Sequence, residues 1–291
     1  TVEEKWEIVT RTENNGEAIL PDIAATILAK IEEKKIDKAE VAGVGIGVPG
    51  PVEETGEIPC AVNLHWGRKN IEKELGDLTG LAVKAGNDAN VAALGEMWKG
   101  GGQGAKNLIL VTLGTGVGGG IIVNEKIVTG AHGAGGEIGH AFVNPAETKA
   151  CNCGNKGCLE QYASATGIAR LAKEALESET EDSVLRTVKN ISAKSVFDAY
   201  KEGDVLAGKI VDKFAAYLGN ALAVFACVSD PDVFVIGGGV SKAGQVLIDA
   251  VEKYYKAHAF TASKETPIKL ATLGNDAGIY GAAKLILSKD N

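Results

Sequence analysis

The sequence predicts an α/β protein built as two lobes. Its 291 residues are enough to bury a sizeable core and exceed the commonest single-domain length. Strand-like segments alternate along the chain with segments of helical spacing, the pattern of α/β layers. The run Gly100-Gly-Gly-Gln-Gly104 interrupts that alternation and reads as a hinge. It places a first lobe over residues 1–103 and a second over 104–291.

Each element has a local reason. Trp6–Thr10 alternates like a strand. Pro21 marks the opening of a helix whose Ile23, Ile27 and Ile31 fall on one stripe. Val41–Val48 alternates apolar residues with glycine, which predicts a strand whose bare face lies against another backbone, and Pro49-Gly-Pro51 stops it. Ile71, Leu75 and Leu78 give a short helix ended by Gly80, followed by a strand over Leu81–Ala85 and a helix over Ala89–Trp98. Leu108–Leu113 restarts the sheet, a glycine turn leads into Ile121–Val123, and Asn124-Glu125 turns the chain back into Ile127-Val128. A long helix over 205–228 precedes strand Val233–Ile236, Gly237-Gly-Gly239 and an amphipathic helix carrying Val246, Ile248 and Val251. Strand Ile268–Leu273 and helix Ala277–Leu287 complete the series.

Composition narrows the function. A net charge of −8 disfavours nucleic acid as a partner. The apolar run near 214–228 is broken by Gly219 and Asn220, which suits a buried helix better than a membrane span, and no signal peptide is expected. Five cysteines is an odd count, and Cys151 and Cys153 are too close in sequence to pair well. Thiols in a reducing, cytoplasmic setting are expected, with Cys60 and Cys227 as lone packing or surface residues.

Glu137 to Glu160 carries the most chemistry. His140, Cys151, Cys153 and Cys158 follow the pattern His-x10-Cys-x-Cys-x4-Cys, four soft ligands suited to a closed tetrahedral Zn²⁺ site. Such a site has no open position, so the metal is structural. The second ring nitrogen of His140 remains available to bond a sugar hydroxyl. Glu137 and Glu160 flank the ligands, and together with Asn63 and Asn87 they are the planar carboxylates and amides that grip hydroxylated ligands.

Asn87-Asp88 opens a helix after a strand. It reads either as a plain N-cap or as a carboxylate facing a cleft, where it orients an alcohol and accepts its proton late in phosphoryl transfer. Leu113-Gly-Thr-Gly-Val-Gly-Gly-Gly120 reads either as a tight β-turn or as a phosphate cradle of converging N–H groups. It lacks the Lys-Ser/Thr ending of a P-loop, and a strand rather than a helix follows it, which disfavours a Rossmann turn. Gly237-Gly-Gly239 leaves room for something flat, such as an adenosine.

These residues resemble the ROK family (repressors, open reading frames and sugar kinases), and within it the bacterial glucokinases. The resemblance covers nearly the whole chain. It rests on Gly47-Val-Pro-Gly-Pro51, Asn87-Asp-Ala-Asn90, Leu113–Gly120, Glu137-Ile-Gly-His140, Cys151-Asn-Cys-Gly-Asn-Lys-Gly-Cys-Leu-Glu160 and Ile236-Gly-Gly-Gly-Val-Ser241. It implies an actin-like (ribonuclease H-like) fold of two lobes around a cleft, and ATP-dependent, Mg²⁺-assisted phosphorylation of a hexose 6-hydroxyl. By matching motifs, Asp88 is the expected base, and Gly50, Asn63, Asn87, Glu137, His140 and Glu160 bind sugar beside it. Gly114, Thr115 and Gly116 meet the phosphates, and Gly237, Gly238 and Gly239 the adenosine. A homodimer is the family expectation.

One departure matters. Kinases of this family begin with Asp-x-Gly-Gly-Thr on a first hairpin that helps hold the nucleotide phosphates, and that motif is absent here. The sequence therefore reads as a kinase recorded without its first hairpin, with weak or no turnover as written and sugar binding retained. An N-acetylhexosamine kinase, or the sugar-sensing module of a ROK regulator, is the alternative; an upstream basic helical domain distinguishes the regulator.

Overall fold

Alternation along Leu108–Leu113 sets the layering. Ile109, Val111 and Leu113 pack into one buried cluster while Leu108 and Leu110 pack into another, the two faces of one strand. The computed structural model describes residues 1–288. Residues 1–12 lack regular structure, and one turn, α1 (Glu13–Gly16), leads into α2 (Ile19–Glu33). Then come β1 (Val44–Val48), β2 (Glu57–Ile58), β3 (Lys69–Asn70), α3 (Ile71–Thr79), β4 (Val83–Asn87) and α4 (Asp88–Lys99). The chain continues through β5 (Leu108–Leu113), β6 (Val117–Val123), β7 (Lys126–Ile127), α5 (Glu160–Ala163), α6 (Ala165–Ser178), α7 (Ala193–Lys201) and α8 (Val205–Ser229). It closes with β8 (Val233–Gly237), α9 (Gln245–His258), β9 (Ile268–Leu270) and α10 (Ala277–Leu287).

The main sheet has the order β7-β6-β5-β8-β9, with β5 antiparallel to β6 and parallel to β8. Helices α6 to α9 cover one face through Leu171, Phe197, Phe214, Leu218 and Val251. On the other face α4 and α10 bury Val91, Leu94, Met97 and Leu285 against Leu108, Leu110 and Val235. So α4, which the expected division at residue 103 assigns to the first lobe, packs along the second lobe's sheet. Helix α8 is long and apolar enough to cross a membrane, but Leu206, Ile210, Phe214, Leu218 and Leu222 are buried in the core.

Glycine sets how closely the layers approach. β1 pairs in parallel with β4, and its bare face meets α10: a Cβ built on Gly45 would stand 1.8 Å from the carbonyl oxygen of Ala282. Helices α4 and α10 cross as tightly, since a Cβ on Gly281 would stand 1.7 Å from Val91 O. Asn70 caps α3, Gly80 ends it at φ +65°, and Asn124 and Glu125 both take the positive φ that a tight hairpin needs.

Three expectations need correction. Trp6–Thr10 is not a strand, and the free edge of β1 is left unpaired. The segment is held instead by ion pairs from Glu4 to Lys30 and Lys34 and by Trp6 Nε1 donating to Thr26 Oγ1 at 3.0 Å. Gly118 to Gly120 belong to β6 rather than to the turn. They are bare because a Cβ on Gly119 would meet Ile138 and one on Gly120 would stand 2.6 Å from Ala93 Cβ. β9 stops at Leu270 because the N–H groups of Thr272 and Leu273 turn away to the buried carboxylate of Glu96.

Candidate active site

At the start of α4 Asn87 makes the cap and its neighbour Asp88 is left with an exposed carboxylate. Asn87 Oδ1 accepts from the N–H groups of Ala89 and Asn90 at 3.0 and 3.2 Å, and its Nδ2 donates to Gly50 O at 3.0 Å. The cap is real, and the same side chain ties β4 to the Gly50 turn. Asp88 comes next with an exposed carboxylate, one oxygen accepting from Ala89 N at 2.8 Å. Gly50 holds φ +107°, and a Cβ there would approach Cys60 O to 2.9 Å, so the turn admits only glycine without strain.

The glycine turn spans Gly114 to Gly116, where Gly114 N donates to Gly116 O at 3.0 Å. Gly114 O accepts from Ala165 N at 2.8 Å, and Thr115 O accepts from Thr166 Oγ1 at 2.7 Å, which fixes the turn on the start of α6. Among the described residues the N–H groups of Thr115 and Gly116 meet no protein acceptor. That is the property an anion cradle needs. Val117 N donates to Glu160 Oε2 at 3.1 Å, and a Cβ on Gly116 would stand 2.0 Å from that oxygen.

The expected metal ligands come together. One ligand atom from each of His140, Cys151, Cys153 and Cys158 lies within 4.8 Å of every other. Cys153 Sγ is 3.7 Å from Cys158 Sγ, and His140 Nδ1 is 3.8 Å from Cys151 Sγ. A tetrahedron with metal–sulfur bonds of about 2.3 Å has edges of about 3.8 Å, so the donor set fits zinc in type and spacing. Burial pushes the Cys158 thiol up to about 12 and raises Cys151 as well, whereas a backbone N–H from Asn155 lowers Cys153. A cation held by His140, Cys151, Cys153 and Cys158 would replace the thiol protons and would crosslink the segment at His140 to the one that leads to Glu160.

The ring of His140 spans two regions. Its Nδ1 faces the thiols and its Nε2 stands 3.9 Å from Glu137 Oε2. The Cys151 thiol donates to Glu160 Oε1 at 3.4 Å. Glu137, His140, Glu160 and the glycine turn are thereby joined into one surface beside α4. The second layer of contact is Ala89, whose Cβ is 3.8 Å from a Cβ built on Gly118.

Other expected residues stand apart. Asn63 is exposed on the turn Val62–Leu64 and makes no side-chain hydrogen bond among the described residues. Gly237 ends β8, and Gly238, at φ +81°, presses against the Leu113 backbone, where a Cβ would meet Leu113 O at 2.5 Å. Gly239 opens onto a cavity of about 340 Å³ lined by Ala193, Phe197, Val240 and Ala243 with Lys194 and Lys242 at its rim. A larger apolar cavity, about 1060 Å³, runs along the free edge of β1 between Ile27, Ile31 and Ile286. Asp88 lines it and none of the sugar-type residues does, so volume alone does not locate the site.

Sequence reasoning passed over several residues. Glu96 is 1% exposed, and its carboxylate accepts from the N–H groups of Gly101, Thr272 and Leu273, which fixes the chain after α4 to the chain before α10. Asn90 is buried, its Oδ1 has no hydrogen-bond partner among the described residues, and Gly136 lies against it. Glu147, Gln161 and Arg170 anchor the cysteine loop. Glu96 sits in an ordinary helical run with partners 176 and 177 residues away, so no local signal marks it.

The comparisons bear on this geometry. A sequence model of the ROK family matches residues 1–289. The chain belongs to the ROK family. It is 43% identical to a glucokinase of Halalkalibacterium halodurans over 99% of this chain and 89% of that protein. It is 36% identical to a glucokinase of Thermotoga maritima, over 95% of this chain and 87% of the other. Among solved structures it resembles a ROK family glucokinase from Streptomyces griseus in complex with glucose and AMPPNP, with TM-score 0.73, 34% identity and coverage of 96% and 90% of the two chains. The fold is the actin-like two-lobed ATPase fold of ROK sugar kinases.

Proposed function

We propose that this ROK chain is a glucokinase, which transfers the γ-phosphoryl group of ATP to the 6-hydroxyl of glucose. The observation that carries the reading is the position of Glu160. Its Oε2 accepts from Val117 N just after the glycine turn and its Oε1 lies 3.4 Å from Cys151 Sγ, so a phosphate-type turn and sugar-type side chains share one site. The likeness to the two glucokinases supports the same substrate class.

In this reading Glu137, His140 Nε2 and Glu160 grip ring hydroxyls, with Asn87, Gly50 and Asn63 on the opposite side. Asp88 receives the 6-hydroxyl as donor and takes its proton as the phosphoryl group departs. The unengaged N–H groups of Thr115 and Gly116 receive phosphate oxygens. The adenosine lies by Gly237 to Gly239, its base towards the cavity at Phe197 and Val240. ATP enters as its Mg²⁺ complex, so that ion belongs to the substrate and neutralises charge on the transferring phosphates. The β1–β4 part carrying Gly50 and Asn87 and the main-sheet part carrying Glu137 and Glu160 form the two sides of the cleft, and closure of one on the other excludes water from the phosphate. We place the enzyme in the cytoplasm, as a homodimer.

The test is binding by calorimetry across glucose, mannose, fructose, N-acetylglucosamine and N-acetylmannosamine, with ADP release as the second readout where turnover is detectable. Glucose should bind tightest. A preference for an N-acetylhexosamine transfers the assignment to that sugar, and binding of no hexose removes it.

A further inference from the structure

The cysteine loop is fastened at a second place, away from the thiols. Glu147 lies in that loop with its side chain only 7% exposed. Its Oε2 accepts from the Tyr162 hydroxyl at 2.6 Å and is ion-paired with Arg170 Nη1 at 2.9 Å, and its Oε1 accepts from the N–H groups of Thr148 and Lys149 at 3.0 Å each. The Tyr162 hydroxyl also accepts from Asn144 Nδ2 at 2.7 Å, and its ring stacks on Tyr217 at 4.0 Å. Arg170 reaches on to Gln161 O at 2.9 Å.

All of this converges on α5, the single turn that begins with Glu160. Within it Glu160 faces the site, Gln161 accepts from the loop N–H groups of Gly157 and Cys158 at 2.8 and 3.1 Å, and Tyr162 holds Glu147. A turn of four residues cannot hold its own orientation, so whatever grips Gln161 and Tyr162 sets where Glu160 points. A carboxylate oxygen that takes a phenol O–H while ion-paired with a guanidinium is held by a short, charge-assisted hydrogen bond. We propose that Glu147 is a positioning residue for sugar binding, which aims Glu160 through Tyr162 and Arg170 independently of the metal cluster. This rests on the reading of Glu160 as a sugar-binding residue.

The test compares Glu147→Ala, Glu147→Gln and Tyr162→Phe with the unaltered chain, by glucose calorimetry and by metal analysis. The Ala variant should weaken glucose binding about tenfold and Tyr162→Phe about threefold, with Glu147→Gln recovering part of the loss. Zinc content should stay at about one per chain in all of them. Unchanged glucose affinity in Tyr162→Phe and in whichever Glu147 variants fold, even with a lowered Tm, overturns the proposal and leaves Glu147 a plain stabiliser. Loss of zinc in step with loss of affinity also overturns it, since Glu147 would then act through the metal. Failure of the unaltered chain to bind glucose is a different result, and it defeats the function on which the proposal rests.

Discussion

Glu160 accepts a hydrogen bond from the backbone N–H of Val117 at 3.1 Å, across 43 residues of chain. That contact explains why Gly116 is bare, because its missing side chain is the space the carboxylate occupies. The turn proposed for phosphate and the carboxylate proposed for sugar are built as one unit.

Gly116→Ala tests that unit. The added methyl would stand 2.0 Å from Glu160 Oε2, so the carboxylate must leave Val117 N. Glucose KM should rise about tenfold, equal to about 1.4 kcal/mol, while zinc content is unchanged. Steady-state kinetics and metal analysis together read this, and an unchanged KM removes Glu160 from the sugar site.

Asp88→Asn separates binding from chemistry. The amide keeps the shape at the start of α4, where Asn87 already supplies the cap to Ala89 and Asn90. Glucose affinity should stay within about threefold while kcat falls by about 10²–10⁴. Near-normal turnover would assign the base elsewhere.

Metal analysis should find about one zinc per chain, bound by the His140 and cysteine cluster. Chelation should weaken glucose binding, because the loop that leads to Glu160 loses its crosslink. A metal-free chain with unaltered Tm and glucose affinity would show that the thiols pin nothing.

Acid stability should reveal Glu147. Burial opposes ionisation of its carboxyl, but bonds from Tyr162, Lys149 and Arg170 outweigh that and bring its pKa down to about 2 from an ordinary 4.5. A group with a lowered folded-state pKa contributes stability that is present above its unfolded value and is lost as pH falls through the folded one. Between pH 4.5 and about 2 the unaltered chain should therefore lose Tm more steeply than Glu147→Gln. Parallel Tm curves for the two proteins would show that the clamp adds no acid-sensitive stability.

How much of this was legible in the sequence follows from how local each signal is. The strand Leu108–Leu113 and the last helix Ala277–Leu287 match their expected bounds because periodicity and turn residues define them from within. The grouping of four soft donors was legible because donor type and spacing mark a candidate metal cluster without any knowledge of the fold. Gly118 to Gly120 were misread because glycine in a strand and glycine in a turn look alike until the packing helix is known. The Trp6–Thr10 strand failed because alternation alone does not bring a segment onto a free edge such as that of β1. Glu96 and Glu147 carried no signal, since a buried carboxylate is defined by its partners, and for Glu96 these are far along the chain.

A crystal structure with glucose tests the central claim most directly. The 6-hydroxyl should lie about 3 Å from the Asp88 carboxylate, with Glu137, His140 Nε2 and Glu160 on the other hydroxyls and a tetrahedral ion among the thiols. A sugar seated away from Asp88, or bound without contact to Glu160, would contradict the account.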